Sequence, residues 1–132
     1  MGQKKILLAE DDLDDQELFF DFLLKRGDVD LMPIVDNGVA LIEYLSGISE
    51  MHAFPDLIVL DQNMPLKNGI QTLQYLKSDT RYRHIPVIIY STYTDDRLVN
   101  TCSSLGASGV FTKPFTKEGY ENMINDFLIM IG

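Results

Sequence analysis

The sequence predicts an α/β domain: a doubly wound, five-stranded parallel sheet with strand order 2-1-3-4-5 and five helices. Three observations predict it. Short apolar runs alternate with longer amphipathic stretches five times along the 132 residues, which is the pattern of parallel strands joined by crossover helices. Most of these runs are continuously apolar, as strands covered on both faces must be. The second run contains Pro33, which cannot donate to a ladder and so belongs on an edge strand; right-handed crossovers with an early edge strand allow the stated order.

The elements follow in sequence. Lys5 to Ala9 reads as the first strand, and Asp14 to Arg26 as a helix with Leu18, Phe19, Phe22 and Leu23 inward and Gly27 as its stop. Leu31 to Val35 is the second strand and Asn37 to Leu45 the second helix. Leu57 to Leu60 is the third strand, followed by a helix over Asn68 to Ser78. Val87 to Tyr90 is the fourth strand; in the helix over Asp95 to Leu105, Leu98, Cys102 and Leu105 share one face and Gly106 ends the turn. Gly109 to Thr112 is the fifth strand. Thr116 caps a last helix whose stripe is Tyr120, Met123, Ile124, Phe127, Leu128 and Ile131.

Composition narrows the function. A chain of 132 residues with 45% hydrophobic residues is one ordinary domain, residues 1–132, with enough apolar material for a core. Twenty acidic against eleven basic residues, net −9, would repel phosphate backbones and anionic lipid. No nucleic-acid or membrane partner is expected. The lone Cys102 cannot form an internal disulfide, no leader or spanning segment is visible, and a cytoplasmic setting fits. His52 and His84 have no second ligand nearby in sequence and receive no role.

The chemistry lies at strand ends. Asp61 closes the run Leu57 to Leu60, and Glu10 and Asp11 close the run Ile6 to Ala9. In this strand order the first and third strands are neighbours where the winding reverses, the usual ligand position in open α/β sheets. Two carboxylates at about 5 Å repel by roughly 3 kcal/mol at an effective dielectric near 20, so three acids need compensation. A divalent cation with oxygen ligands supplies it, and Mg²⁺ suits such a site; Lys113, at the end of the fifth-strand region, is a second source. Phosphoryl transfer needs an in-line nucleophile and surrounding positive charge. Asp61 can be that nucleophile, and Ser91, just beyond the fourth strand, can hydrogen-bond a phosphoryl oxygen. Asp12, Asp14 and Asp15 read as capping and solvated acids at a helix N-terminus.

With those residues in place, the chain resembles the receiver domain of bacterial two-component response regulators, of the stand-alone, chemotaxis-regulator-like type, over nearly all of its length. Glu10 and Asp11 in Ile-Leu-Leu-Ala-Glu-Asp-Asp match the acidic pair, Asp61 the phospho-acceptor, Ser91 the Ser/Thr, and Lys113-Pro114 the Lys-Pro pair. The resemblance implies a flavodoxin-like topology and a metal site of Glu10, Asp11, Asp61 and the Asn63 backbone carbonyl. It implies a bond before Pro114 that is usually cis, and a role in phosphoryl lifetime for Asn63 and Tyr93. It also implies a phosphorelay in which a histidine kinase or phosphotransfer protein donates to Asp61, the domain assists its own transfer and hydrolysis without being an enzyme proper, and a surface of helix 4, strand 5 and helix 5 is read by a downstream protein or a second copy. The family's switch aromatic is replaced by Val110, with Phe111 facing the other way. Residues 45–56 and 79–85 resemble single-domain receivers paired with phytochrome-type kinases, and a stand-alone relay is the expectation.

Two other functions compete. An aspartyl-phosphate hydrolase would need a second acid where Asn63 stands, and a flavin site would need a phosphate loop where the acids lie. A non-phosphorylated pseudo-receiver that only binds partners is the alternative within the same fold.

Overall fold

The computed structural model describes residues 3–132, and its chain folds as β1 (Lys4–Ala9), α1 (Leu13–Leu24), β2 (Val29–Leu31), α2 (Gly38–Ser46), β3 (Leu57–Asp61), α3 (Gly69–Ser78), β4 (Val87–Ser91), α4 (Asp96–Ser104), β5 (Gly109–Thr112) and α5 (Lys117–Ile131). A single 3₁₀ turn, Met51–Ala53, lies between α2 and β3. All strand pairs are parallel and the order is β2-β1-β3-β4-β5, as the alternation of runs and the edge proline required.

Each helix begins where a short polar side chain accepts from the first turn. Asp12, Asn37, Asn68, Asp95 and Thr116 cap the five helices, and Asn68 with Gln71 completes a reciprocal capping box. Such caps are worth about 1 kcal/mol each. At the other end of α4, Gly106 takes φ +98°, a conformation only glycine adopts freely.

The strands alternate their side chains between two cores. Leu7, Ile58, Leu60, Val87 and Ile89 pack with Leu41, Leu45, Leu73, Leu76 and Cys102 on the α2, α3 and α4 side. Ile6, Leu8, Val59, Ile88 and Tyr90 pack with Phe19, Leu23, Tyr120, Ile124 and Phe127 on the α1 and α5 side. Cys102 is a core residue, fully buried. Val110 and Phe111 fall on opposite sides, Val110 against the first core and Phe111 against the second.

Three local expectations differ. The second strand pairs over Val29–Leu31, not Leu31 to Val35: Pro33 interrupts the ladder, and the chain rejoins β1 only at an Ala9↔Val35 bridge. Helix α1 ends at Leu24 with Lys25 as a right-handed cap, so Gly27 is not its left-handed stop. The Lys113–Pro114 bond is trans, the isomer that a prolyl amide prefers by about 0.5–1 kcal/mol.

Gly38 opens α2 where the backbone crosses the β3–α3 loop. Its N–H donates to Lys67 O at 3.0 Å, and a Cβ there would lie 1.9 Å from Thr72 Oγ1 and 2.7 Å from Lys67 O. Backbone cannot give way as a side-chain tip can. Gly38→Ala is therefore expected to lower stability by about 2 kcal/mol or more in urea unfolding; a loss under about 0.5 kcal/mol would mean that this loop moves freely.

Candidate functional site

The parallel register sets the site. Ala9 pairs with Leu60, and Asp61 with Tyr90, so the residues just beyond β1, the last residue of β3 and the last residues of β4 emerge along one rim. Glu10 and Asp11 follow β1 directly; Glu10 N donates to Val35 O at 2.9 Å, which fixes the turn. Ser91 ends β4 and lies one residue past the Asp61↔Tyr90 pair. Lys113 leaves β5 with its N–H on Ser91 O at 2.8 Å. Glu10, Asp61 and Ser91 are almost wholly buried, whereas Asp11 and Asn63 are exposed.

Glu10, Asp11, Asp61 and Lys113 come together, while Ser91 is placed on the same rim by strand register. One carboxylate oxygen from each of Glu10, Asp11 and Asp61 lies within 4.8 Å of the others. Lys113 Nζ reaches Glu10 Oε1 at 2.9 Å and Asp61 Oδ1 at 3.3 Å, while the Asn63 N–H also donates to Asp61 Oδ1 at 3.3 Å. The donor set is three hard oxygens held by neighbouring strand ends, which fits a small hard divalent cation that keeps part of its water shell.

Three residues were not anticipated. Asp15 is not a solvated acid: its Oδ2 lies 3.0 Å from Lys113 Nζ, and its Oδ1 accepts from the Tyr120 hydroxyl. The Tyr90 hydroxyl donates to Glu10 Oε1, and the Lys113 ammonium sits 4.8 Å above the Tyr90 ring. The signal was present in the helical period. Asp15 stands four residues before Phe19, on the stripe that α1 turns to the core, and Tyr120 opens the equivalent stripe of α5. Asp12, by contrast, caps α1 by accepting from Asp15 N at 3.0 Å, as expected.

Electrostatics follow from this crowding. Burial, followed by the neighbouring Glu10 carboxylate, drives the Asp61 pKa up to about 8 against the smaller opposing pull of Lys113. Burial alone would discharge Lys113, but hydrogen bonds to Glu10 and Asp15 outweigh it and raise its pKa. Burial, reinforced by Glu10, also raises the Tyr90 hydroxyl; burial and then Asp15 raise that of Tyr120. Lys113 therefore stays charged and both tyrosines stay neutral donors.

Without a divalent cation, the folded state holds the Asp61 proton more tightly than the unfolded chain. The associated stability is fully present below about pH 4 and is lost as pH rises through about 8. Asp61→Asn removes that loss. In metal-free denaturant unfolding the variant should match wild type near pH 4 and exceed it by ~1–3 kcal/mol near pH 8; parallel stability curves would show that Asp61 carries no such charge penalty.

Comparison with known proteins agrees with the geometry. A family model described as response regulator receiver domain matches residues 6–125. The transcriptional regulatory protein CiaR of Streptococcus pneumoniae (strain ATCC BAA-255 / R6) is 36% identical over 124 residues, covering 94% of this chain and 51% of that protein. The chain thus spans about half the length of CiaR and a smaller share of some other curated relatives. Among solved structures, the phosphorylated cyanobacterial phytochrome response regulator RcpA superposes with a TM-score of 0.85 at 28% identity, covering 96% of this chain and 91% of that one. The Mn²⁺-bound form of response regulator Rcp1 gives 0.82 at 28% identity, covering 94% and 91%.

Proposed function

The chain belongs to the response regulator receiver domain family, and on that premise we propose that residues 1–132 act as one phospho-acceptor domain in which Asp61 takes a phosphoryl group from a partner histidine kinase or phosphotransfer protein. The observation that carries the reading is the convergence of Lys113 Nζ on Glu10 and Asp61 beside an oxygen cluster of Glu10, Asp11 and Asp61. The likeness to RcpA supports a phytochrome-type kinase as the donor. No described helix is long and apolar enough to cross a membrane; the buried lone Cys102 supports a reducing, cytoplasmic setting.

The protein's own groups divide the work. The Asp61 carboxylate is the nucleophile; it is held at a strand end by its backbone and by the Asn63 N–H, so it meets phosphorus without reorganising. Lys113 supplies a fixed positive charge for the phosphoryl oxygens, and Ser91 a hydroxyl donor on the same rim. Glu10, Asp11, Asp61 and the Asn63 carbonyl would hold the metal, which we take to be Mg²⁺, a choice supported by the all-oxygen donors and by the Mn²⁺ bound to Rcp1. When bound, it neutralises the clustered acids and the charge on the phosphoryl oxygens.

Phosphorylation would convert one carboxylate charge into roughly −1.5 to −2 and add acceptor oxygens that compete for Lys113 and Ser91. The surface of α4, β5 and α5 is the part of the fold attached to those two residues, and a downstream protein or a second copy of the chain would read it. The function is signalling rather than turnover of a substrate.

Intact-protein mass spectrometry after incubation with acetyl phosphate and Mg²⁺ tests the reading. Wild type is expected to gain one phosphoryl group, and Asp61→Asn and a chelated sample none. Ser91→Ala and Lys113→Ala should each slow the gain by about tenfold or more. An increment that persists in Asp61→Asn, or a folded wild type that gains none from either acetyl phosphate or a phosphorylated histidine phosphotransfer protein, would overturn Asp61 as acceptor.

A further inference from the structure

The long side chain of Lys113 must be fixed for its charge to meet a phosphoryl group, and fixing it opposes the rotational freedom of a flexible four-carbon stem. Its ammonium lies among three carboxylates: it donates a hydrogen bond to Asp15 at 3.0 Å and forms ion pairs with Glu10 at 2.9 Å and Asp61 at 3.3 Å. Only the contact to Asp61 must be exchanged when that carboxylate becomes a phosphoryl ester. The other two are the pivot about which the ammonium turns.

Glu10 is locked within its own strand-end turn: Oε2 accepts from Asp12 N at 3.0 Å, and Oε1 accepts from Tyr90. Asp15 comes from α1 and is locked from a third element. Its two oxygens are used separately, Oδ2 on Lys113 and Oδ1 on the hydroxyl of Tyr120 from α5. Tyr120 is itself packed in the core, with 3% of its surface exposed and its ring edge-on to Phe19 at 5.8 Å. A hydroxyl that only needed an acceptor would not require an acid whose other oxygen holds the site's cation.

We propose that Asp15 and Tyr120 are positioning residues for phosphoryl transfer: Tyr120 orients the Asp15 carboxylate, and Asp15 holds Lys113 where the phosphoryl oxygens of Asp61 will lie. The inference rests on Asp61 being the acceptor. In the step itself an Asp61 oxygen forms a bond to phosphorus as the bond from phosphorus to the donor oxygen breaks. Starting from the ionised Asp61 carboxylate, acetate leaves acetyl phosphate with the electron pair and no proton moves in the transfer itself, so placement of positive charge is what the chain adds.

The test is a double-mutant cycle on the rate of phosphorylation by acetyl phosphate with Mg²⁺, followed by intact mass, with folding of every variant checked by thermal unfolding. Tyr120→Phe keeps the ring and removes one hydrogen bond, and should slow the reaction roughly 3- to 10-fold; Asp15→Asn should slow it at least as much. In a Lys113→Ala background, Tyr120→Phe should change the rate by less than about twofold, because the group it positions is gone. A purely structural role would slow both backgrounds equally, and that result overturns the proposal. So does a wild-type rate in Tyr120→Phe. If Asp15→Asn does not fold, Tyr120→Phe alone carries the test. A wild type that takes up no phosphoryl group defeats the acceptor reading and this inference together, whereas normal uptake by both wild type and Tyr120→Phe defeats only the inference.

Discussion

The structure around the site depends on the charge of Lys113. Glu10 is fully buried and Asp61 nearly so, and two such carboxylates cannot both ionise at close range without a nearby cation. Lys113 supplies that cation and donates a hydrogen bond to a third acid, Asp15. Burial and, after it, the neighbouring Glu10 carboxylate still outweigh Lys113 and push the Asp61 pKa up to about 8, so excess negative charge remains once it ionises. The same surplus makes the rim attractive to a divalent ion, since adding two positive charges there relieves repulsion that the protein alone leaves uncompensated.

This arrangement is a product of topology more than of local sequence. Glu10 and Asp61 meet because β1 and β3 pair in register, and Lys113 reaches them because β5 leaves the sheet beside Ser91. Two tyrosines then tie the charges to the core. The rings of Tyr90 and Tyr120 both pack edge-on against Phe19, at 5.6 and 5.8 Å, while their hydroxyls hold Glu10 and Asp15 respectively. Phe19 is thus the apolar base on which the polar groups of α1, β4 and α5 are aligned, and the geometry of the site is set by packing as rigid as the rest of the interior.

The sheet order and the acids at the ends of β1 and β3 were legible in the sequence because they depend on period and on where apolar runs stop. Pro33 correctly marked the edge, but pairing ends before it, at Leu31, because the proline interrupts the ladder rather than merely lining its outer side. Gly27 misled because glycine after a helical stripe is only a frequent stop; here the chain turns in the right-handed region at Lys25. Asp15 was misjudged for a different reason. Acids in a first helical turn are usually explained by the backbone dipole, and only the helical phase of this one, on the buried stripe with Phe19, distinguishes it from Asp14, which points to solvent. Nothing local announces that its partner stands 98 residues away.

The same contacts tie the site more closely to one face of the sheet than to the other. Val110 lies on the α2, α3 and α4 side and has no ring to carry a rotamer change there. Two of the carboxylates around Lys113, Glu10 and Asp15, are by contrast held by Tyr90 and Tyr120, whose rings lie in the opposite core, with Phe111 packed on Phe127 at 4.9 Å beside them. Turning the ammonium about Glu10 and Asp15 would load those two carboxylates, and through them the α1 turn and the start of α5. Ser91, whose carbonyl accepts the Lys113 N–H, joins β4 to that movement. A chain without the aromatic at position 110 therefore still has a chain of polar contacts from Asp61 to α5, an ion pair to Lys113 followed by hydrogen bonds through Asp15 to Tyr120, along the α1 side of the sheet.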